Sequence, residues 1–86
     1  KVSAIAELAL SSLKIFPNPA NNKLFVELNK NLTNVKMNVI DSRGKEVIST
    51  TSKQDFMNLE NLQQGIYFIR IVANEGVVTR RFTVVR

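Results

Sequence analysis

The chain has 86 residues, 44% of them apolar, with 12 Lys and Arg against 7 Asp and Glu for a net charge of +5, and no His, Cys or Trp. One domain is the ceiling at this length, and such a domain buries only about 60–65% of its unfolded surface, so most apolar side chains must serve the core. Without imidazole or thiol there is no Ser-His-Asp or Cys-His catalysis, no disulfide and no thiolate zinc site, and no apolar run approaches the ~20 residues of a membrane span.

Residues 1–12 are Ala-rich and free of Gly, Pro and aromatic residues. They form too short a segment for a stable isolated helix and lack the apolar core and cleavage site of a signal peptide. They read as a linker, with Ile5 or Leu8 touching the domain, and, as no Met opens the sequence, the chain is expected to be part of a longer one. From Leu13 the apolar period is two. Leu13-Lys14-Ile15-Phe16 predicts a short strand, stopped by Pro17-Asn18-Pro19, because proline cannot donate to a ladder. Leu24, Val26 and Leu28 alternate with polar or aromatic residues, and Val35, Met37 and Val39 do the same. Asp41-Ser42-Arg43-Gly44 predicts a hairpin in which Gly44 takes φ > 0. The return strand runs from Lys45 to about Thr51, with Val47 toward the core and Ile48 away from it. Phe56 to Leu62 predicts a short strand and a turn ending at Gly65. Ile66 to Val72 is apolar almost throughout, as in a central strand covered on both faces. Asn74-Glu75-Gly76 predicts a three-residue hairpin loop, and Val77 to Val85 the last strand, with Val78, Phe82 and Val84 on one face. Seven short strands with regular turn signals predict an all-β fold, a seven-stranded antiparallel immunoglobulin-like β-sandwich over residues 13–86. A small barrel is the second choice.

Chemistry is sparse. The seven carboxylates show no paired spacing, no serine has a base beside it, and each glycine sits at a predicted turn rather than in a phosphate-cradling loop. Catalytic residues, metal ligands and cofactors are therefore expected to be none, and the chain is not read as an enzyme. The basic residues are scattered apart from Arg80, Arg81 and Arg86, which argues against nucleic-acid binding. Asn31-Leu32-Thr33 fits a glycosylation sequon. Tyr67, two residues after Gly65, is placed to bond back to the backbone at a strand corner. Phe25 and Phe68 fall out of phase with the core positions of their strands; such aromatics mark either a partner surface or a face covered by a loop or by the N-terminal segment.

Four ordered blocks carry a resemblance: Leu13-Lys14-Ile15-Phe16-Pro17-Asn18-Pro19-Ala20-Asn21, then Val39 to Val47 around Asp41 and Gly44, then Leu59-x-x-Leu62-x-x-Gly65-Ile66-Tyr67, then Thr79 to Arg86. In that order and spacing they resemble the C-terminal sorting domain of the Bacteroidota type IX (Por) secretion system, type A. The resemblance implies a domain that addresses a secreted cargo protein. Its implied partners are an outer-membrane shuttle, the translocon and a sortase that cuts in the linker near residues 1–12. It implies secretion or a cell-surface location via periplasm and outer membrane, without insertion of the domain into the membrane. Pro17, Asn18, Pro19, Asp41, Gly44, Gly65 and Tyr67 are then expected to shape the scaffold. Thr79, Arg80, Arg81, Phe82, Val84, Val85 and Arg86 are expected to meet the receptor, through an exposed final strand and forked arginine contacts to acidic groups. Exposed edge strands also permit a dimer. The competing expectation is a generic immunoglobulin-like or fibronectin-like spacer, or a carbohydrate-binding module, for which the chain is poor in aromatic platform residues.

Overall fold

A computed structural model describes residues 13–28 and 32–86. The expected linker at 1–12 and the sequon residue Asn31 lie outside the described residues. Seven strands follow one another with no helix among the described residues: β1 Lys14–Phe16, β2 Lys23–Glu27, β3 Lys36–Asp41, β4 Glu46–Thr50, β5 Phe56–Asn58, β6 Gly65–Ala73 and β7 Gly76–Val84. They form two antiparallel sheets, one of order β1-β2-β5 and one of order β4-β3-β6-β7. The inward residues of the small sheet, Leu24, Val26 and Met57, share one core with Met37, Val39, Ile69, Ile71, Phe82 and Val84 of the large sheet. The period-two pattern causes this layering, because alternate side chains leave opposite faces of a strand.

The Asp41–Gly44 turn forms as its residue types dictate. Asp41 Oδ1 accepts from the Arg43 and Lys45 N–H groups, each at 2.9 Å. Gly44 takes φ 89°, a region that L side chains avoid. Tyr67 is buried, stacks on Phe82 with ring centroids 6.0 Å apart, and donates its hydroxyl to Gln63 O at 2.7 Å. The hydroxyl thereby satisfies the one polar group that burial of the ring would otherwise strand.

Three local expectations change. In β4 the register with β3 slips between Val39 and Ile40, so Val39 opposes Ile48 while Ile40 opposes Glu46. Val47 is the extra residue of this bulge, and both Val47 and Ile48 reach the core instead of only Val47. The β6–β7 connection has two loop residues, Asn74 and Glu75; Gly76 opens β7, opposite Ala73, with φ 148°. β6 is central in its sheet, yet no described element covers its outer face: Ile66 is 45% exposed and Phe68 is half-buried. In a two-layer fold only one face of each sheet meets the core, so this largely apolar central strand, interrupted by Arg70, shows its other face to its surroundings.

Candidate functional site

The last strand divides into two halves with different environments. In the half from Arg81 onward, the outer backbone edge is occupied. Ala20 lies in a parallel bridge to Val84. Its N–H donates to Thr83 O at 2.7 Å, and its carbonyl accepts from the Val85 N–H at 2.9 Å. Asn18 Oδ1 accepts from the Thr83 N–H at 3.1 Å, and Asn18 Nδ2 donates to Arg81 O at 3.5 Å. Two prolines flank Asn18 and stop this loop from extending β1, so the Asn side chain and the Ala20 peptide serve as a short surrogate strand. The expected open end of the final strand is therefore closed along Arg81–Val85. The same alternation points the backbone groups of Val77 and Thr79 away from β6, where no other strand pairs with them among the described residues.

Side chains divide as well. Phe82 and Val84, expected at a receptor, are core residues. Burial removes them from any surface contact and makes them scaffold. Arg80 lies on the same inward row, half-buried, with Nη1 3.4 Å from Thr79 O. A charge on the inward row of an edge strand discourages another strand from adding there. Arg86, also expected at a receptor, is spent on this chain. Its Nη1 donates to Asn21 O at 2.6 Å and Asn22 Oδ1 at 2.9 Å, its Nη2 to Leu62 O at 2.8 Å and to Leu59 O, and its Nε to Leu62 O at 3.2 Å. The flat fork of five donors fits the carbonyl oxygens that converge from these two loops. Val85 is 40% exposed.

Thr79 and Arg81 face outward and are exposed. The register sets Arg81 beside Phe68, which in turn lies beside Ile40; it sets Thr79 beside Arg70, and Thr83 beside Ile66. The outer face of the large sheet thus combines two exposed guanidinium groups, Arg70 and Arg81, with a partly bare apolar strip. Neither arginine pairs with a carboxylate among the described residues, where the ion pairs are Arg43 with Asp41 and Lys53 with Asp55. This face can meet a surface carrying carboxylates around an apolar center. A separate hollow of about 370 Å³ lies between the Asp41–Lys45 turn and the Asn61–Tyr67 segment. Its carboxylate, Asp41, is already committed to the turn, and the Lys45 N–H, ahead of the opposing effect of burial and the contribution of Arg43, holds its pKa below the usual value.

Residues 14–85 match the family described as the secretion system C-terminal sorting domain. The chain belongs to that family. No curated protein matches the chain. Among solved structures the sorting domain is similar to part of PorZ of Porphyromonas gingivalis, an essential bacterial surface component of the type-IX secretion system, with a TM-score of 0.72 at 17% identity. That likeness covers 98% of this chain and 13% of PorZ, so the chain spans a small part of that protein's length. It is also similar to CopC from Methylosinus trichosporium OB3b, with a TM-score of 0.51 at 15% identity over 84% of this chain and 92% of that one. At these identities the likeness shows the fold, two layers of antiparallel strands.

Within the sorting domain, the residues expected to shape the scaffold fall at three places. Asn18, between Pro17 and Pro19, bonds the edge of β7, Asp41 and Gly44 make one hairpin, and Gly65 opens β6 two residues before Tyr67. The expected receptor residues do not form one surface. Ile40, Ile66 and Arg70 share the outer face with Arg81 and were not among the residues expected from sequence. The signal was present in the apolar run of β6, broken only by Arg70, which a strand with one solvated face does not need.

Proposed function

We propose that this domain is a non-catalytic address of the type IX system, of type A and with an immunoglobulin-like strand arrangement. It directs the protein that carries it across the outer membrane to the cell surface or the medium. The observation that carries this reading is the family match over residues 14–85, nearly the whole described fold. In this reading residues 1–12 are the linker to the cargo and 13–86 the signal. The shuttle and translocon bind the outer face of the large sheet around Phe68, Arg70, Thr79 and Arg81, and a sortase then cuts within the linker.

An address works by presenting a surface, so it needs a rigid scaffold and unspent polar groups rather than acid–base machinery. Arg70 and Arg81 supply the charge, and Ile66 and Phe68 the apolar area. The test is export of a fluorescent reporter fused to residues 1–86 in a Bacteroidota host with a working type IX apparatus. The Arg70→Glu, Arg81→Glu pair should leave the reporter in the periplasm while the purified domain keeps its melting temperature. Normal export of this variant, or export that persists in a host lacking the apparatus, overturns the proposal.

A further inference from the structure

Phe16, Phe25 and Phe56 form a row on the outer face of the small sheet, paired across β1, β2 and β5 with ring centroids 5.6 and 6.0 Å apart. Each ring has a cross-strand neighbour, which is reason enough for the row. Arg80 has no such neighbour. It stands on the inward row of β7, half-buried, and pairs with no carboxylate among the described residues. Its Nη1 donates over a long 3.4 Å to Thr79 O. That carbonyl belongs to the open edge. The backbone groups of Arg81, Thr83 and Val85 point away from β6, toward Asn18 and Ala20, so by alternation those of Val77 and Thr79 do as well. The guanidinium therefore guards the edge twice. It sets a charge on the inward row, and it lies on an acceptor that an added strand needs.

We propose that the Gly76–Arg80 edge takes up an extended segment of another protein, and that Arg80 selects it by requiring a carboxylate at the facing position. When a strand adds antiparallel here, Thr79 enters a hydrogen-bonded pair and Arg80 the adjacent non-hydrogen-bonded pair. Opposite residues stand closest in that second kind of pair, with Cα atoms about 4.5 Å apart. A Glu or Asp at that place meets the guanidinium fork, draws it off Thr79 O and frees the carbonyl for the ladder. An apolar residue there buries the cation without a counter-charge, and a basic one repels it. The charge that discourages strands in general thus admits one kind.

A second copy of this chain does not meet the requirement. Two copies joined antiparallel through the same edge set Gly76, Val78 or Arg80 opposite Arg80, according to register, and none of the three carries a carboxylate. The partner segment therefore differs in sequence. Its inward row combines the acidic residue with apolar neighbours, because the residue beside Arg80 on that row is Val78, which packs against the core. Added there, the segment continues the outer face of the large sheet beyond Val77 and Thr79. The selection by Arg80 does not depend on Arg70 or Arg81, so it stands or falls apart from the outer-face reading.

Short strand peptides test this on the purified 86-residue chain, read by amide hydrogen exchange. The peptide Thr-Val-Thr-Glu-Thr-Val-Thr carries its central Glu on the same face as its valines, and two companions carry Gln or Lys at the centre. The Glu peptide should protect the Val77 and Thr79 amides at a concentration lower than the Gln peptide by about fivefold, and the Lys peptide should leave them unprotected. Arg80→Glu should reverse the order of the Glu and Lys peptides, and Arg80→Gln should level all three. The comparison of peptides on the unaltered chain decides the matter even where a variant fails to fold. Equal protection by the Glu and Gln peptides overturns the proposal. So does protection at β4, the opposite edge of the sheet, in place of Val77 and Thr79, or no protection by any peptide at millimolar concentration. Val77 and Thr79 amides already protected in the free chain, or passing into protection as its own concentration rises, overturn it too, since the edge then has another occupant.

Discussion

The two halves of β7 belong to one strand and pair continuously with one neighbour, yet they serve different ends. From Arg81 onward the strand is enclosed: Phe82 and Val84 fill the core, Asn18 and Ala20 close the backbone edge, and Arg86 fastens the chain to two loops. From Gly76 to Arg80 the edge has no partner strand among the described residues and the side chains are half-buried or exposed. The difference shows that a terminal strand rich in arginine is not uniformly a display surface. What decides it is whether a guanidinium already has acceptors in its own fold. Arg86 does, and Arg81 has none among the described residues.

The sharpest way to break the comparison is to exchange the roles of these two arginines. Arg86→Ala removes charge-assisted hydrogen bonds to Asn21, Asn22, Leu59 and Leu62. Each such bond is worth more than a neutral one, but the side chain is exposed, so the expected loss is about 1–3 kcal/mol. It is checked by the urea midpoint, and Arg86→Lys should recover little, because an ammonium cannot span both loops. Arg81→Ala should move the midpoint by less than about 0.5 kcal/mol. Equal effects of the two substitutions would erase the distinction drawn here.

A second substitution separates stability from address altogether. Gly44 has no atom within 4 Å of where a Cβ would stand, so Gly44→Val meets no clash and acts through its φ of 89°. It should cost about 1–3 kcal/mol in thermal unfolding without touching β7. If export falls as far with Gly44→Val as with the Arg70→Glu, Arg81→Glu pair, the address reduces to folding.

The smallest effect is acid sensitivity at the start of β7. Glu75 accepts from the Thr33 N–H at 3.1 Å and from its hydroxyl at 2.9 Å, and these bonds hold its pKa below the usual value. A carboxylate with a lowered pKa contributes fully above the ordinary carboxyl range and loses that contribution as pH falls through the lowered value. Below about pH 4 the Glu75–Thr33 tie should loosen first in amide exchange of Asn74, whose N–H donates to Thr33 O. Glu75→Gln should flatten that dependence.

Much of the fold was legible in order along the chain. Seven strands, the φ > 0 of Gly44 and the backbone bond of Tyr67 all follow from residue types acting on near neighbours. The bulge at Val47 was not legible, because it depends on which residue of β4 opposes Val39. Nor was the division of the candidate site. A period-two pattern marks Phe82 and Val84 as inward, while the resemblance of the last block treated all of Thr79–Arg86 as one surface.

The amino-acid order by itself determined a single all-β domain with two kinds of strand face, since alternation and turn chemistry act over a few residues. Only the tertiary structure decided that Asn18 closes the edge of β7, that Arg86 is bound 64 or 65 positions from its acceptors at Asn22 and Asn21, and that three phenylalanines from three strands share one row. Those contacts join residues far apart in the chain, and no local preference can specify a partner that only folding brings near.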